Sequence, residues 1–247
     1  MNQPQSAEFG AGDVTLSAQG IFETSSTLKY RLGEKIVVGA KIFRYVQASE
    51  ALTAGNLCTA KPALDGEDTV TVAHPIGTNK VVHVASAVIT LNQFAEGLLM
   101  VDEGTGAGDA YQIKTHPAIS SGNAGVITLY DGLRTAWVIA DTDILMVGPV
   151  WVVQESNIDQ AELPMGIPLI DVESAYYFWI QRSGISPALM DEAFGSVVGQ
   201  RLVTIGSSTA GSVEAWDGTG EPIVGQTILD ANQSEDAKYQ PIYLMLE

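Results

Sequence analysis

The run Gly104-Thr-Gly-Ala-Gly-Asp109 is the first candidate for chemistry, because glycine-rich loops can cradle a phosphate with their backbone amides. Such a loop needs a helix opening behind it to supply amides and a favourable dipole. Here Ala110-Tyr-Gln-Ile-Lys-Thr115 follows, which alternates like a strand, so the glycines are expected to permit a hairpin reversal. The three histidines, His74, His83 and His116, share no spacing that would pair them on one element, and the lone Cys58 offers no second thiolate. Metal ligation would have to be created by folding. Asp141-Thr-Asp143 and Asp65-Gly-Glu-Asp68 lack the full oxygen ladder of a calcium loop and read as turn-forming carboxylates. Gly206-Ser-Ser-Thr-Ala-Gly211 misses the spacing of a nucleophile elbow, and no carboxylate pair stands out in an apolar setting that would split two pKa values. No catalytic, metal or cofactor residues are therefore assigned, and the chain is expected not to be an enzyme.

Charge narrows the partners. The 247 residues carry 12 basic and 29 acidic side chains, a net charge of −17, yet residues 1–45 hold five basic and four acidic groups. The remainder thus carries −18 and repels phosphate backbones, so no nucleic-acid partner is expected. High negative charge also favours solubility in its own right. The opening MNQPQSAEFG lacks the basic start and apolar run of a secretory signal, so general export is not expected. The longest apolar stretch, residues 136–153, contains Asp141, Asp143 and Pro149 and reads as two strands around an acidic turn, not as a membrane span.

The elements that must position these residues read as strands. Short alternating runs bounded by Gly, Asp, Asn and Pro recur along the chain, which predicts an all-β fold: a β-barrel or sandwich domain with a second small β domain inserted. Expected strands cover 35–46, 81–91, 97–101, 110–115, 125–130, 136–140, 175–181, 201–205, 211–216 and 241–246. Turns are placed at Asp65-Gly66, Asp131-Gly132, Ser183-Gly184 and Asp217-Gly218. Two short helices are also predicted. One runs Ser186–Val198 from a Ser cap with Pro187 at its first position, the other Glu155–Leu163, stopped by Pro164.

Residues 1–30 are polar and without alternation and read as an extended N-terminal arm. The main domain is placed at 31–78 plus 156–247, and the inserted domain at 79–155. The final run Pro241-Ile-Tyr-Leu-Met-Leu-Glu247 is apolar on both faces, as expected of a strand buried in the middle of a sheet. Tyr176-Tyr-Phe-Trp179 sends two aromatic rings to each face, which predicts core packing on at least one of them.

Several of these stretches resemble a known family. Lys41-Ile-Phe-Arg-Tyr-Val46 followed by Ala51-Leu-Thr-Ala-Gly-Asn56 resembles the opening of capsid-associated structural proteins of tailed phages. Phe94 to His116 looks like their inserted β domain, and Gly166-Ile-Pro-Leu-Ile-Asp171 with Tyr177 to Gly184 looks like the return to the first domain. The resemblance implies a decoration (cement) protein on the outer capsid surface of the virion, made in the host cytoplasm. Its implied partners are the major capsid protein and itself, as a homotrimer, with no membrane and no cofactor. The near-neutral arm would then add a strand to an exposed sheet edge of the major capsid protein, while Lys29, Arg31, Lys35, Lys41 and Arg44 face an acidic lattice and three copies of a weak contact supply avidity. The alternatives are a carbohydrate- or receptor-binding β module on the virion, such as a head fibre or adhesin, and a small hydrolase on a β scaffold.

Overall fold

The computed structural model describes residues 18–158, 162–191, 202–216, 218, 220–228 and 237–247. Among the described residues the regular elements are strands only: β1 Lys35–Val38, β2 Lys41–Ala48, β3 Cys58–Ala60, β4 Leu64–Thr69, β5 Lys80–Val84, β6 Leu98–Glu103, β7 Ala110–Thr115, β8 Ala124–Leu129, β9 Asp143–Val147, β10 Val152–Glu155, β11 Pro164–Pro168, β12 Tyr177–Met190, β13 Leu202–Ile205, β14 Ser212–Ala215, β15 Gly225–Thr227 and β16 Tyr239–Met245. The chain is all-β, and no helix of the described residues is long and apolar enough to cross a membrane. It divides into two compact units, residues 1–61 with 151–247, and residues 62–150.

The first unit is organised by β12. Its first half pairs with β2 and β11, and the pairings β2–β10, β10–β3 and β3–β11 close a ring of five strands. Its second half pairs with β14 and β16, and β14–β13, β13–β15 and β15–β16 close a second ring. Alternation along β12 sends Phe178 and Ile180 into one core, with Val46, Cys58 and Val153, and Ala188 and Met190 into the other, with Val203, Val213, Ile242 and Leu244. Between the halves the register shifts at Gln181/Ser183, and Gly184 takes φ +88 where a Cβ would meet the Ala40 carbonyl oxygen at 2.8 Å. Ser183-Gly184 is thus not the turn its composition predicts. It is a bulge that hands one long strand from the first ring to the second.

The predicted helix Ser186–Val198 is likewise corrected over its first five residues, which continue β12; residues 192–198 lie outside the described residues. Pro187 stands directly opposite Pro241, a position where the antiparallel ladder asks neither residue for an N–H. The predicted helix from Glu155 is corrected too: Glu155 ends β10 and Pro164 opens β11, both within sheet pairings, while 159–161 lie outside the described residues. The expected strand 35–46 is a hairpin, β1–β2, reversing at Gly39-Ala40. The two strands expected within 136–153 are β9 and β10, separated by Gly148-Pro149 and not by the acidic turn, and 136–140 supplies only a bridge between Trp137 and His74.

The second unit is a six-stranded antiparallel sheet in the order β4-β9-β6-β7-β8-β5, over a core that includes Leu99, Ile113, Ile127, Leu129, Trp137 and Ile144. It begins at Pro62, because β4 pairs with β9, and ends at Val150, because β10 pairs with β2 and β3. The reading of 79–155 therefore starts too late by one strand and ends too late by another. The last strands of the order, β4 and β5, meet through side chains. Val84 N donates to Asp68 Oδ2 at 2.9 Å, Ser86 N to Asp65 Oδ1 at 3.2 Å, and Gly66 N to Ser86 Oγ at 3.3 Å. Asp65-Gly66, expected as a turn, is a bulged stretch of β4 whose carboxylate is buried.

Candidate interaction surface

The described part of the expected arm is bound to the core. Gln19 is buried; its Nε2 donates to the Tyr177 and Glu23 carbonyls at 2.9 and 2.8 Å, and its Oε1 accepts from Tyr45 Oη at 2.5 Å. Trp179 Nε1 donates to the Gln19 carbonyl at 3.1 Å, and Ser25 bridges Tyr177. Ile21, Tyr30 and Leu32 then cover Phe43, Tyr45 and Trp179, with Tyr30 packed at 5.0 Å from the Trp179 ring. Burial pushes the Tyr45 phenol up to about 12. Residues 18–30 are thus a strap over the outer face of the first ring, and the arm reading extends at most to residues 1–17, outside the described residues. Trp179 and Phe178 are buried and Tyr176 and Tyr177 half-buried, so this aromatic run is core.

The five cations singled out by sequence do not form one outward patch. Lys29 on the strap and Arg31 just after it are exposed, and Lys41 is half-buried beside Gly184. Lys35 and Arg44 are cross-strand partners on β1 and β2, and both turn to Glu247, at 3.1 and 2.5 Å. Arg182 joins them at 3.4 Å, and the Arg44 and Arg182 guanidinium groups both lie against the Trp151 ring, at 5.5 and 5.7 Å from its centroid. Burial raises the Glu247 carboxyl, but the hydrogen bonds from Arg44 and Lys35 outweigh it and hold the group below its usual range. Lys35 and Arg44 therefore clasp the first ring internally.

The candidate chemical groups also have local partners. His74 Nε2 accepts from Val82 N at 3.0 Å. His116 donates from Nδ1 to the Pro117 carbonyl at 2.8 Å and accepts at Nε2 from Phe94 N at 2.9 Å, a neutral tautomer consistent with the lowering of its pKa by burial. His83, fully buried, donates from Nε2 to Asp65, whose other oxygen takes the Ser86 hydroxyl. Among the described residues no three His, Cys, Asp or Glu side chains are arranged to hold a metal ion. Cys58 is buried with its thiol pushed up by desolvation, which suppresses the reactive thiolate. The loop Gly104–Asp109 connects β6 to β7 with Gly104, Gly106 and Gly108 all at positive φ, and its Thr105 amide is taken by Asp141 Oδ2 at 2.8 Å. The serine-rich loop 206–211 wraps the Asp191 carboxylate, to which Ser208 N donates at 2.7 Å; burial of that carboxylate is outweighed by these bonds, and its pKa falls.

What sequence reasoning passed over is the outer face of the second ring. On β12 it carries Ile185, Pro187 and Leu189, and directly across on β16 it carries Tyr243, Pro241 and Tyr239, with Met245 beyond. β16 has a partner on either side, as expected of a central strand, yet Ile185, Tyr239, Tyr243 and Met245 remain 52%, 50%, 44% and 48% exposed. The expectation that the C-terminal run is buried on both faces is corrected: one face fills the core and the other is bare. The signal was present, since only a strand with two apolar faces needs two covers.

Comparison with protein families, with curated proteins and with solved structures gave no match to this chain.

Proposed function

We propose that the chain decorates the outside of a tailed-phage head as a homotrimer, bridging major capsid protein subunits. The observation that carries the reading is where the family-like stretches lie. Lys41–Val46 and Tyr177–Gly184 run antiparallel to each other at the centre of the first unit, with Tyr45 opposite Trp179 and Val46 opposite Phe178. Phe94–His116 lies in the other unit and contributes its β6–β7 hairpin. The residues that resemble the family are thus the ones that build a β domain carrying a second β unit within one of its chain connections, the architecture that the resemblance implies.

In this role the protein works by geometry. A head under internal pressure gains strength when an added body spans neighbouring capsomers, and three copies held together convert weak single contacts into a tight whole through effective concentration. The test adds purified chain to heads assembled without it and follows co-sedimentation. Saturable binding in multiples of three, with a raised disruption temperature of the heads, is the expected result. Failure to sediment with heads at micromolar concentrations would overturn the reading.

A further inference from the structure

At each end of β12 the odd-numbered residues turn away from the core of their own ring, and between the two ends Gln181 and Ser183 are buried at the bulge. In the first half these outward residues are Tyr177 and Trp179, and the chain covers them with its own strap of Ile21, Tyr30 and Leu32. In the second half they are Ile185 and Pro187, joined by Tyr243 and Met245 of β16, which stay exposed, and by the half-buried Pro241. We infer that this second half is the self-association face, its cover being another copy of the same chain. The inference deepens the trimer of the proposed function by naming its contact, and it is tested without heads.

Charge selects the occupant. Each chain carries −17, so two copies repel wherever their acidic surfaces meet. The outward positions of β12 and β16 hold no group charged at neutral pH, and this is where the two bodies can close without burying carboxylates against one another. A basic partner, which the chain's net charge would otherwise attract, finds no counter-charge on these positions. The residue types agree, since aromatic and Met side chains are enriched and Asp, Glu and Lys depleted at the core of protein interfaces.

Area gives the same answer. Ile185, Tyr239, Tyr243 and Met245 are each about half exposed, and with side chains of this size presenting about 200 Å² in full they leave about 400 Å² of apolar surface. That is the core of a standard contact of about 800 Å² per partner, the rest being polar rim. Register sharpens the contact. Because Pro187 and Pro241 must occupy a non-hydrogen-bonded pair, Ile185 and Tyr243, two residues along, do so as well, and in such pairs the side chains stand close together as one raised ridge.

The experiment compares the full chain with Ile185→Glu and, separately, Tyr243→Ser by sedimentation velocity from 1 to 50 μM, with thermal unfolding as a check on folding. The expected result is a wild-type mass at a multiple of 26.1 kDa and a shift toward the monomer in both variants, at least 100-fold in dissociation constant for the Glu variant. A third variant, Ile185→Cys, places an exposed thiol on the ridge while the native Cys58 stays buried, and oxidation should link copies through it. A wild-type monomer throughout the range would overturn the inference, as would folded variants that retain the wild-type mass. Binding of the monomeric variants to heads is read separately: weakened but measurable binding leaves the decoration role standing, whereas loss of self-association with no head binding by any form overturns that role and leaves this contact intact.

Discussion

Replacing Asp65 by Ala tests whether side chains close the second unit. Its carboxylate is 1% exposed and receives His83 Nε2, Ser86 Oγ and Ser86 N. These donors differ in what happens when the acceptor is lost. Ser86 is exposed and its groups can rehydrate, so each lost bond costs only the net value of about 1 kcal/mol. His83 is fully buried, and its other nitrogen stands 3.6 Å from Asp68 Oδ2, too far for a hydrogen bond. Its stranded N–H therefore adds a desolvation cost of about 1 to 3 kcal/mol, and with the two Ser86 bonds the sum is about 3 to 5 kcal/mol. For a β unit of this size, at about 4 to 8 °C per kcal/mol, the transition should fall by about 12 to 40 °C. Differential scanning calorimetry on the full chain reads it, and a second transition that stays in place would assign the loss to residues 62–150.

A double substitution isolates the pair. Asp65→Leu with His83→Phe removes donor and acceptor together, and apolar replacement of a buried polar pair is often close to neutral, so the double variant should be more stable than Asp65→Ala alone. Amide exchange at Val84 and Ser86 should quicken in Asp65→Ala, since those amides sit on the seam between β4 and β5. A destabilisation below about 1 kcal/mol, or single costs that simply add, would refute closure by this cluster and leave β4 and β5 as ordinary sheet edges.

Other outcomes follow from the first unit. Gln19→Ala strands the buried Tyr45 hydroxyl and should cost about 2 kcal/mol by urea unfolding, whereas deletion of residues 1–17 should leave stability unchanged and, on the decoration reading, weaken sedimentation with heads. Because the Tyr45 phenol is raised from 10.0 to about 12 in the folded state, its contribution is complete below pH 10 and disappears as the pH climbs toward 12; Tyr45→Phe should flatten that alkaline slope. The Glu247 carboxyl is held low, so its contribution is present above its unfolded value of 4.5 and is lost as pH falls through the folded one. Glu247→Gln should remove this acid dependence while costing no more than about 1 kcal/mol at neutral pH, because its partners are partly solvated.

The class of fold was legible because alternation is a local property. Ala110–Thr115 alternates apolar and polar residues and is β7 to the residue, and the glycines before it make the hairpin that their freedom at positive φ allows. What local chemistry misread were places where a turn residue serves a longer strand. Ser183-Gly184 and Asp65-Gly66 have the composition of reversals, yet each lies inside a strand, and partners far along the chain decide between turn and bulge: β2 and β16 for Gly184, β9 and Ser86 for Asp65. Pro187 broke the strand pattern for the same reason, its tolerance depending on Pro241 more than fifty residues away. The strap was unreadable in a different sense. No periodicity marks residues 18–30, and the segment is tied to Tyr45, Tyr177 and Trp179 by scattered single contacts of Gln19, Ser25, Lys29 and Tyr30.

The interaction surface was half legible. A strand with two apolar faces says that both must be covered, and the C-terminal run said so, but the pattern is identical whether the second cover comes from the same chain or from a neighbour. The structure separates the cases along one strand. Tyr177 and Trp179 find Tyr30 and Leu32 of their own chain; Ile185 and Pro187, turned away from the core at the other end of β12, stay exposed. The basic residues taught the converse. Lys35 and Arg44 looked like free cations beside an acidic body, but an acidic chain also supplies the nearest carboxylates, and Glu247 reaches both. Charge excess in a sequence therefore predicts where a partner is repelled better than where it is held, which is why the contact is sought on the uncharged ridge of β12 and β16.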